Sequence, residues 1–172
     1  MLWFSRHMNT RELDLQLRPT GPADAGELLT LQRAAFITEA QVYGDPHLPA
    51  LVQTLADLER ELATSTGLKA VWNHRMVGAI RGRIEPPTCY VGRLVVAPDL
   101  HGRGIGTRLM TAFEQQVAPE VERFELYIGS LSMANLRLYE RLGYREFRRE
   151  RTRPSVEFVF MEKPAASTSA SA

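Results

Sequence analysis

The stretch Leu94-Val95-Val96-Ala97-Pro98-Asp99-Leu100-His101-Gly102-Arg103-Gly104-Ile105-Gly106-Thr107 constrains this chain more than any other. An apolar, strand-like run stops at Pro98, three glycines follow at alternate positions, and Ile105, Leu109, Ala112, Phe113 and Val117 then set a helical period. Glycine admits positive φ and lets a ligand approach the backbone, while the first N–H groups of a helix lack internal partners and carry partial positive charge. Such a turn either cradles a pyrophosphate or merely shapes a loop under a closely packed helix. Spacing removes two known phosphate loops. No Lys follows the glycines as G-x-x-x-x-G-K-[ST] demands, and Gly102-x-Gly104 is followed three residues on by Thr107, where G-x-G-x-x-G needs glycine.

The 172 residues fit one domain at roughly 150 residues per domain. With 44% hydrophobic and 24% charged residues, and 21 basic against 20 acidic side chains for a net charge of +1, the balance is that of an ordinary water-soluble globule. It is not that of a surface built to grip a polyanion. Arg145, Arg148, Arg149, Arg151 and Arg153 crowd one segment, but Glu146, Phe147 and Glu150 are interspersed, as on a solvent-facing strand, so no nucleic-acid partner is expected. Cys89 is the single cysteine, which excludes an intramolecular disulfide framework and points to a reducing compartment. His7, His47, His74 and His101 lack ligand spacing, so no metal is expected. The apolar start Met1–Phe4 is too short for a signal-peptide core, and no run of about 18 apolar residues occurs. A cytoplasmic protein without membrane contact is predicted.

Residues 1–11 carry no period and 164–172 are mostly small, so a flexible N-terminal extension and a disordered C-terminal tail are expected around a single domain of 12–163. Leu13-Asp14-Leu15-Gln16-Leu17-Arg18 alternates with period 2, predicting a strand stopped by Pro19-Thr20-Gly21-Pro22. Leu28, Leu31 and Ala35, then Leu51, Leu55, Leu58 and Leu62, predict two helices. Segments 68–72, 76–84 and 89–97 are joined by short connections and read as an antiparallel meander. After the helix at 105–117 come a strand at 124–128, a helix marked by Leu136, Tyr139 and Leu142 and closed by Gly143, and strands near 144–152 and 156–161. The expected class is α+β, with a mixed, mostly antiparallel central sheet of about seven strands flanked by about four helices.

Two segments, in this order, resemble the GNAT superfamily of acyl-CoA-dependent N-acyltransferases. Its signature, a strand ending L-x-V-x-P, two further residues, then [Q/R]-G-x-G-x-[G/A], is met by Leu94-x-Val96-x-Pro98 and Gly102-x-Gly104-x-Gly106, with His101 at the Gln/Arg position. The later motif N-x-x-A-x-x-L-Y-x-x-x-G-[F/Y] is met in Leu138-Tyr139 and Gly143-Tyr144, with Ser132 and Asn135 in place of Asn and Ala. The resemblance implies a GNAT-like domain and acetyl-CoA as cosubstrate. By carry-over, the backbone of Leu94, Val95 and Val96 would lie along the pantetheine, with the Val96 N–H toward the thioester oxygen. His101, Gly102, Arg103, Gly104, Ile105, Gly106 and Thr107 would surround the pyrophosphate, and Asn135 would reach the pantetheine. Tyr139 would stand by the thioester sulfur, where a phenol of pKa about 10 can protonate the departing thiolate. By periodicity alone Tyr139 also reads as a core aromatic on the face of Leu136 and Leu142.

The acceptor amine must arrive unprotonated, because an ammonium has no lone pair. Family members often place a carboxylate base on the strand before the glycine turn, yet residues 88–97 hold no Asp or Glu. Glu85, Glu39 and Asp45 are the candidates. The connection 36–45, with Glu39, Tyr43 and Asp45, is the preferred substrate wall, and solvated loop charges are the alternative reading of Glu39 and Asp45. The implied activity is acetyl transfer to a primary amine, on a small molecule or a protein, by direct attack in a ternary complex. Use of a longer acyl-CoA and a non-catalytic acyl-CoA-binding or regulatory domain are the rival readings. A homodimer agrees with the family's habits.

Overall fold

The computed structural model describes residues 13–153 and 156–166. They form one seven-stranded sheet in the order β1-β2-β3-β4-β5-β7-β6. The strands are β1 (Gln16–Pro19), β2 (Thr66–Trp72), β3 (Arg75–Glu85), β4 (Thr88–Val96), β5 (Arg123–Gly129), β6 (Arg145–Arg153) and β7 (Val156–Pro164). Helices α1 (Ala25–Tyr43), α2 (Pro49–Val52), α3 (Leu55–Thr64), α4 (Ile105–Val117) and α5 (Met133–Arg141) flank it. Every neighbouring pair is antiparallel except β4 and β5. The α+β architecture is therefore the expected one. No helix among the described residues is long and apolar enough to cross a membrane.

Several boundaries differ from expectation: β1 begins only at Gln16, and α1 runs on to Tyr43, where Gly44 in the left-handed region ends it, so most of the expected connection 36–45 is helix. Three helices, not two, separate β1 from β2. The leucine period runs through Leu51 to Leu62, but Gln53 and Thr54 are extended (ψ 132° and 162°), and the Thr54 hydroxyl caps α3 by accepting from Asp57 N at 3.2 Å. At the other end β7 continues through Pro164, and Ala165 N donates to Glu122 O at 2.8 Å, so the folded chain passes residue 163. The expected extension 1–11 and residues 167–172 of the tail lie outside the described residues.

The layers follow from strand parity. β3 is central and buried from Met76 through Gly82. A Cβ at Gly78 would stand 2.8 Å from Leu109, and one at Gly82 2.9 Å from Phe113, so α4 rests directly on the backbone of β3. Odd-numbered Arg81 projects to the other face, where it meets Gln32 of α1 and Glu61 of α3. Leu28, Leu58 and Leu62 fill that layer, and Ile105, Leu109, Phe113 and Val117 fill the α4 layer.

The fourth strand, β4, is open along part of one edge. It pairs with β5 only where Thr88, Cys89 and Tyr90 face Arg123, Phe124 and Glu125; beyond Tyr90 the two strands share no ladder. It is also bulged. Arg81 opposes Gly92 while Ala79 opposes Val95, so Arg93 and Leu94 together face Ile80, and Arg93 takes a φ of 46°.

Candidate active site

The gap between β4 and β5 continues into a cleft of about 1670 Å³ that reaches the glycine turn, α5, and the walls formed by α1 and α3. At one end, Gly102 and Gly104 hold φ of 74° and 75°, which only glycine adopts without strain, and Gly104 caps α4. The first internal bond of that helix is Arg108 N donating to Gly104 O at 3.0 Å, and the amides of Gly102, Arg103, Gly104, Ile105, Gly106 and Thr107 make no hydrogen bond among the described residues. Six donors at the positive end of a 13-residue helix are thus left for water or an anion. Gly106 has ordinary φ, and a Cβ there would meet Leu94 and Leu138 at 3.5 and 3.6 Å, so its lack of a side chain keeps the space between α4 and β4 open. His101 is exposed and its Nε2 lies 3.1 Å from Val96 O, tying the turn back to the strand. Arg103 is exposed and outside the cleft lining; Ile105 contributes its amide while its side chain is core.

Along the unpaired edge the backbone directions are fixed by the ladder. Gly78 opposes Val96, and Ala97 N donates to Val77 O at 2.8 Å, so the N–H and C=O of Val96 turn away from β3 into the cleft. Leu94 turns the same way by alternation. Val95 does not: its backbone faces β3 and its side chain is buried. Asn135 is exposed on the cleft side of α5.

Tyr139 is 9% exposed and stacks edge-on against Tyr144 with centroids 5.9 Å apart. It packs in the core, as its spacing from Leu136 and Leu142 implies, and it also lines the cleft. Its hydroxyl makes no hydrogen bond among the described residues. Burial, with the nearby charge of Glu39, pushes its pKa up to about 12, so it stays a proton donor at any ordinary pH.

The α1 wall closes against the β5–α5 turn. Ser132 Oγ donates to Glu39, and the Tyr43 hydroxyl accepts from Leu131 N at 2.8 Å. Asp45 accepts from His47 N at 2.8 Å and also lines the cleft. Glu85 does not join them. It ends β3 at the hairpin leading to β4, pairs with Arg83 at 3.2 Å, and is not part of the lining.

Sequence reasoning missed Arg81, Arg93 and Glu61. Arg81 is 2% exposed; its Nε meets Glu61 at 2.6 Å and its Nη2 meets Gln32 at 3.0 Å. Burial raises the Glu61 pKa, but the hydrogen bond and charge of Arg81 outweigh it and bring the carboxyl below its usual range. Arg93 lines the cleft half-buried with no hydrogen bond or ion pair among the described residues, and its Nη1 is shut off from solvent. Burial, then the charge of Arg81, pull its pKa below the arginine range. The available signal was a charged residue in the middle of each of two runs that otherwise read as buried strand. Among the described residues no three His, Cys, Asp or Glu side chains are grouped as a metal ion would require.

A strand pair that parts beside a glycine turn with unpartnered amides has counterparts among known proteins. Residues 40–165 match the family model of the acetyltransferase (GNAT) domain, and the chain belongs to that family. A curated relative, UPF0157 protein YqkA of Bacillus subtilis (strain 168), is 26% identical over 122 residues; these are 71% of this chain and 35% of the relative, so the chain spans about a third of that protein's length. Among solved structures, PaiA N-acetyltransferase from Thermoplasma acidophilum, in complex with coenzyme A, is similar with a TM-score of 0.76 at 19% identity, covering 88% of this chain and 99% of that one. The ribosomal-protein-S18-alanine N-acetyltransferase from Escherichia coli is similar with a TM-score of 0.76 at 14% identity, covering 92% and 98%. At these identities the likeness is one of fold.

Proposed function

We propose that the protein transfers an acetyl group from acetyl-CoA to a primary amine, on a small molecule or a protein, by direct attack in a ternary complex. The observation that carries this reading is the row of unpartnered amides from Gly102 to Thr107 at the mouth of the β4–β5 gap. Those amides fit a pyrophosphate, and the edge at Leu94 together with the Val96 N–H fits the amide groups of a pantetheine arm. Acetyl-CoA supplies the activated acyl group and a thiolate leaving group. Val96 N–H faces the gap as a donor for the acyl oxygen, where negative charge grows. Tyr139 holds its proton and offers it to the sulfur.

Glu39 is the best-placed base. Of the carboxylates that line the cleft, Glu61 is bound to Arg81 and Glu125 to Arg123 at 2.8 Å, and Asp45 is held by its own turn. Glu39 is bound only by the Ser132 hydroxyl among the described residues, on the Tyr139 side of the cleft. It would hold the acceptor ammonium and draw off its proton through water.

The test is free-thiol release from acetyl-CoA with a panel of amines, beside Tyr139→Phe and Glu39→Gln. Turnover that falls in both variants supports the reading. Stabilisation by CoA without turnover on any amine favours a binding module, turnover only with longer acyl-CoA moves the donor assignment, and no response to CoA removes the proposal. At about 100 times the dissociation constant, CoA should add roughly 2.7 kcal/mol of stability.

A further inference from the structure

Arg93 makes no hydrogen bond and no ion pair among the described residues. It sits at the β4 bulge with φ 46°, a conformation that costs any side-chain-bearing residue, and it faces the cleft. The carboxylate whose charge acts on it, Glu61, is already engaged: its oxygens take Arg81 Nε at 2.6 Å, Arg81 Nη2 at 3.3 Å and Gln53 Nε2 at 2.6 Å. Glu61 is thus spent on Arg81 and Gln53, and an Nη1 on each of Arg81 and Arg93 is buried without an acceptor. The other cations of the lining are satisfied differently. Arg83 pairs with Glu85, Arg148 pairs with Glu150, and Arg141 is exposed to water. A half-buried charge left in this state is expensive unless an anion joins it when the cleft fills.

We propose that the acceptor is an amino carboxylate whose carboxylate docks on Arg93, with Arg81 behind it as a second positive charge. The proposal rests on the transferase reading for the role of the amine, and on Arg93 alone for the anion. The planar fork of a guanidinium matches two carboxylate oxygens. Beside it, Tyr127, Phe158 and Phe160 line the same cleft, with Tyr127 5.3 Å from Phe158 and 5.7 Å from Phe160 between ring centroids. Arg148 already stacks on Phe160 at 3.8 Å, and Tyr127 with Phe158 gives the body of the acceptor an aromatic seat, so an amino acid with a large apolar side chain is favoured over a short polar one.

The experiment compares acids with their uncharged amides on the full chain, free and CoA-loaded. Phenylalanine, methionine and hydrocinnamate are titrated by calorimetry against phenylalaninamide, methioninamide and hydrocinnamamide, and kcat/KM with acetyl-CoA is measured for the four amines. The acids should be preferred by about 10- to 100-fold. Arg93→Met should erase the preference, Arg93→Lys should restore part of it, and CoA affinity and folding, read by melting temperature, should hold in both. Arg81 is left intact because its loss would strand Glu61 and Gln32. Acid binding without turnover on any amine would sink the transferase reading and leave the anion site standing. Turnover in which amides match or exceed acids, a preference that survives in Arg93→Met, or no binding by either partner of each pair would overturn the anion site.

Discussion

The phenol of Tyr43 fills the space that a side chain at residue 129 would need, since a Cβ built on Gly129 would collide with the Tyr43 hydroxyl oxygen. The C-terminal end of α1 is thereby seated on the β5–α5 turn, which its hydroxyl also holds through Leu131 N. Gly129→Ala must expel the ring and shift the wall that carries Glu39. We expect acceptor kcat/KM to fall at least about 10-fold, with CoA affinity little changed, because a misplacement on the scale of an ångström suffices for that loss. Steady-state kinetics beside CoA calorimetry would check this. Tyr43→Phe keeps the ring and should cost about 1 kcal/mol in denaturant unfolding.

The glycines of the turn should separate by mutation. Gly104→Ala places a methyl at φ 75° and should lower stability by about 1–2 kcal/mol with or without ligand. Gly106→Ala meets neighbours at ordinary contact distances, so the free protein should melt near the wild-type temperature while the CoA-induced rise shrinks or vanishes. Thermal melts with and without CoA distinguish the two.

Tyr139, with its pKa held near 12, should not limit activity between pH 8 and about 10. The unfolded chain releases that proton near pH 10 and the folded one only near 12, so stability from this group is complete below pH 10 and is lost as pH rises to 12. Wild type should therefore lose more stability than Tyr139→Phe across that interval, by an amount on the order of 2 kcal/mol. Urea melts at pH 9, 10 and 11 would show whether the two curves converge.

Removing the charge of Glu61 leaves Arg81 buried and uncompensated. Glu61→Gln should cost about 3 kcal/mol, the lower part of the range for a broken buried pair, since the Glu61 side chain is 35% exposed. Because the Glu61 pKa is depressed, its contribution is present above the unfolded carboxyl value and fades as pH falls through the folded one. The gap between wild type and variant in chemical denaturation should accordingly narrow in acid.

Cys89 is fully buried, with its pKa pushed up to about 12 by burial and then by the charge of Glu120. A thiol in that setting is a core side chain and not a nucleophile. Native protein at pH 8 should resist iodoacetamide, with alkylation appearing only on unfolding; mass spectrometry after timed exposure reads this directly.

Much of the scaffold was legible in local pattern. The meander of β2, β3 and β4, the glycine turn and α4 each carry their own period and punctuation within about 20 residues. What escaped depends on partners distant in the chain. Ser132 and Glu39 are 93 residues apart, so neither reveals that Ser132 leaves its helix uncapped to bond a carboxylate on α1. The bulge at Arg93 exists only as a mismatch of register with β3, which no stretch of β4 displays by itself. Glu85 looked suitable because it ends a strand next to the turn-bearing one, but antiparallel geometry carries that end to the hairpin at the opposite side of β4. The break before α3 was readable in Thr54 and Asp57 and was masked by the leucine spacing that runs across it.

β6 is one of the two edge strands, and its Arg148–Glu150 and Arg149–Glu146 pairs, joined by Arg149–Glu157 to its neighbour, line that rim of the sheet. A second molecule trying to extend the ladder there would have to strip hydration from a dense row of opposite charges for little apolar gain. That flank is thereby guarded against runaway polymerisation, and at the other edge β1 offers only four residues, the last of them a proline, so concentrated solutions should stay free of fibrils.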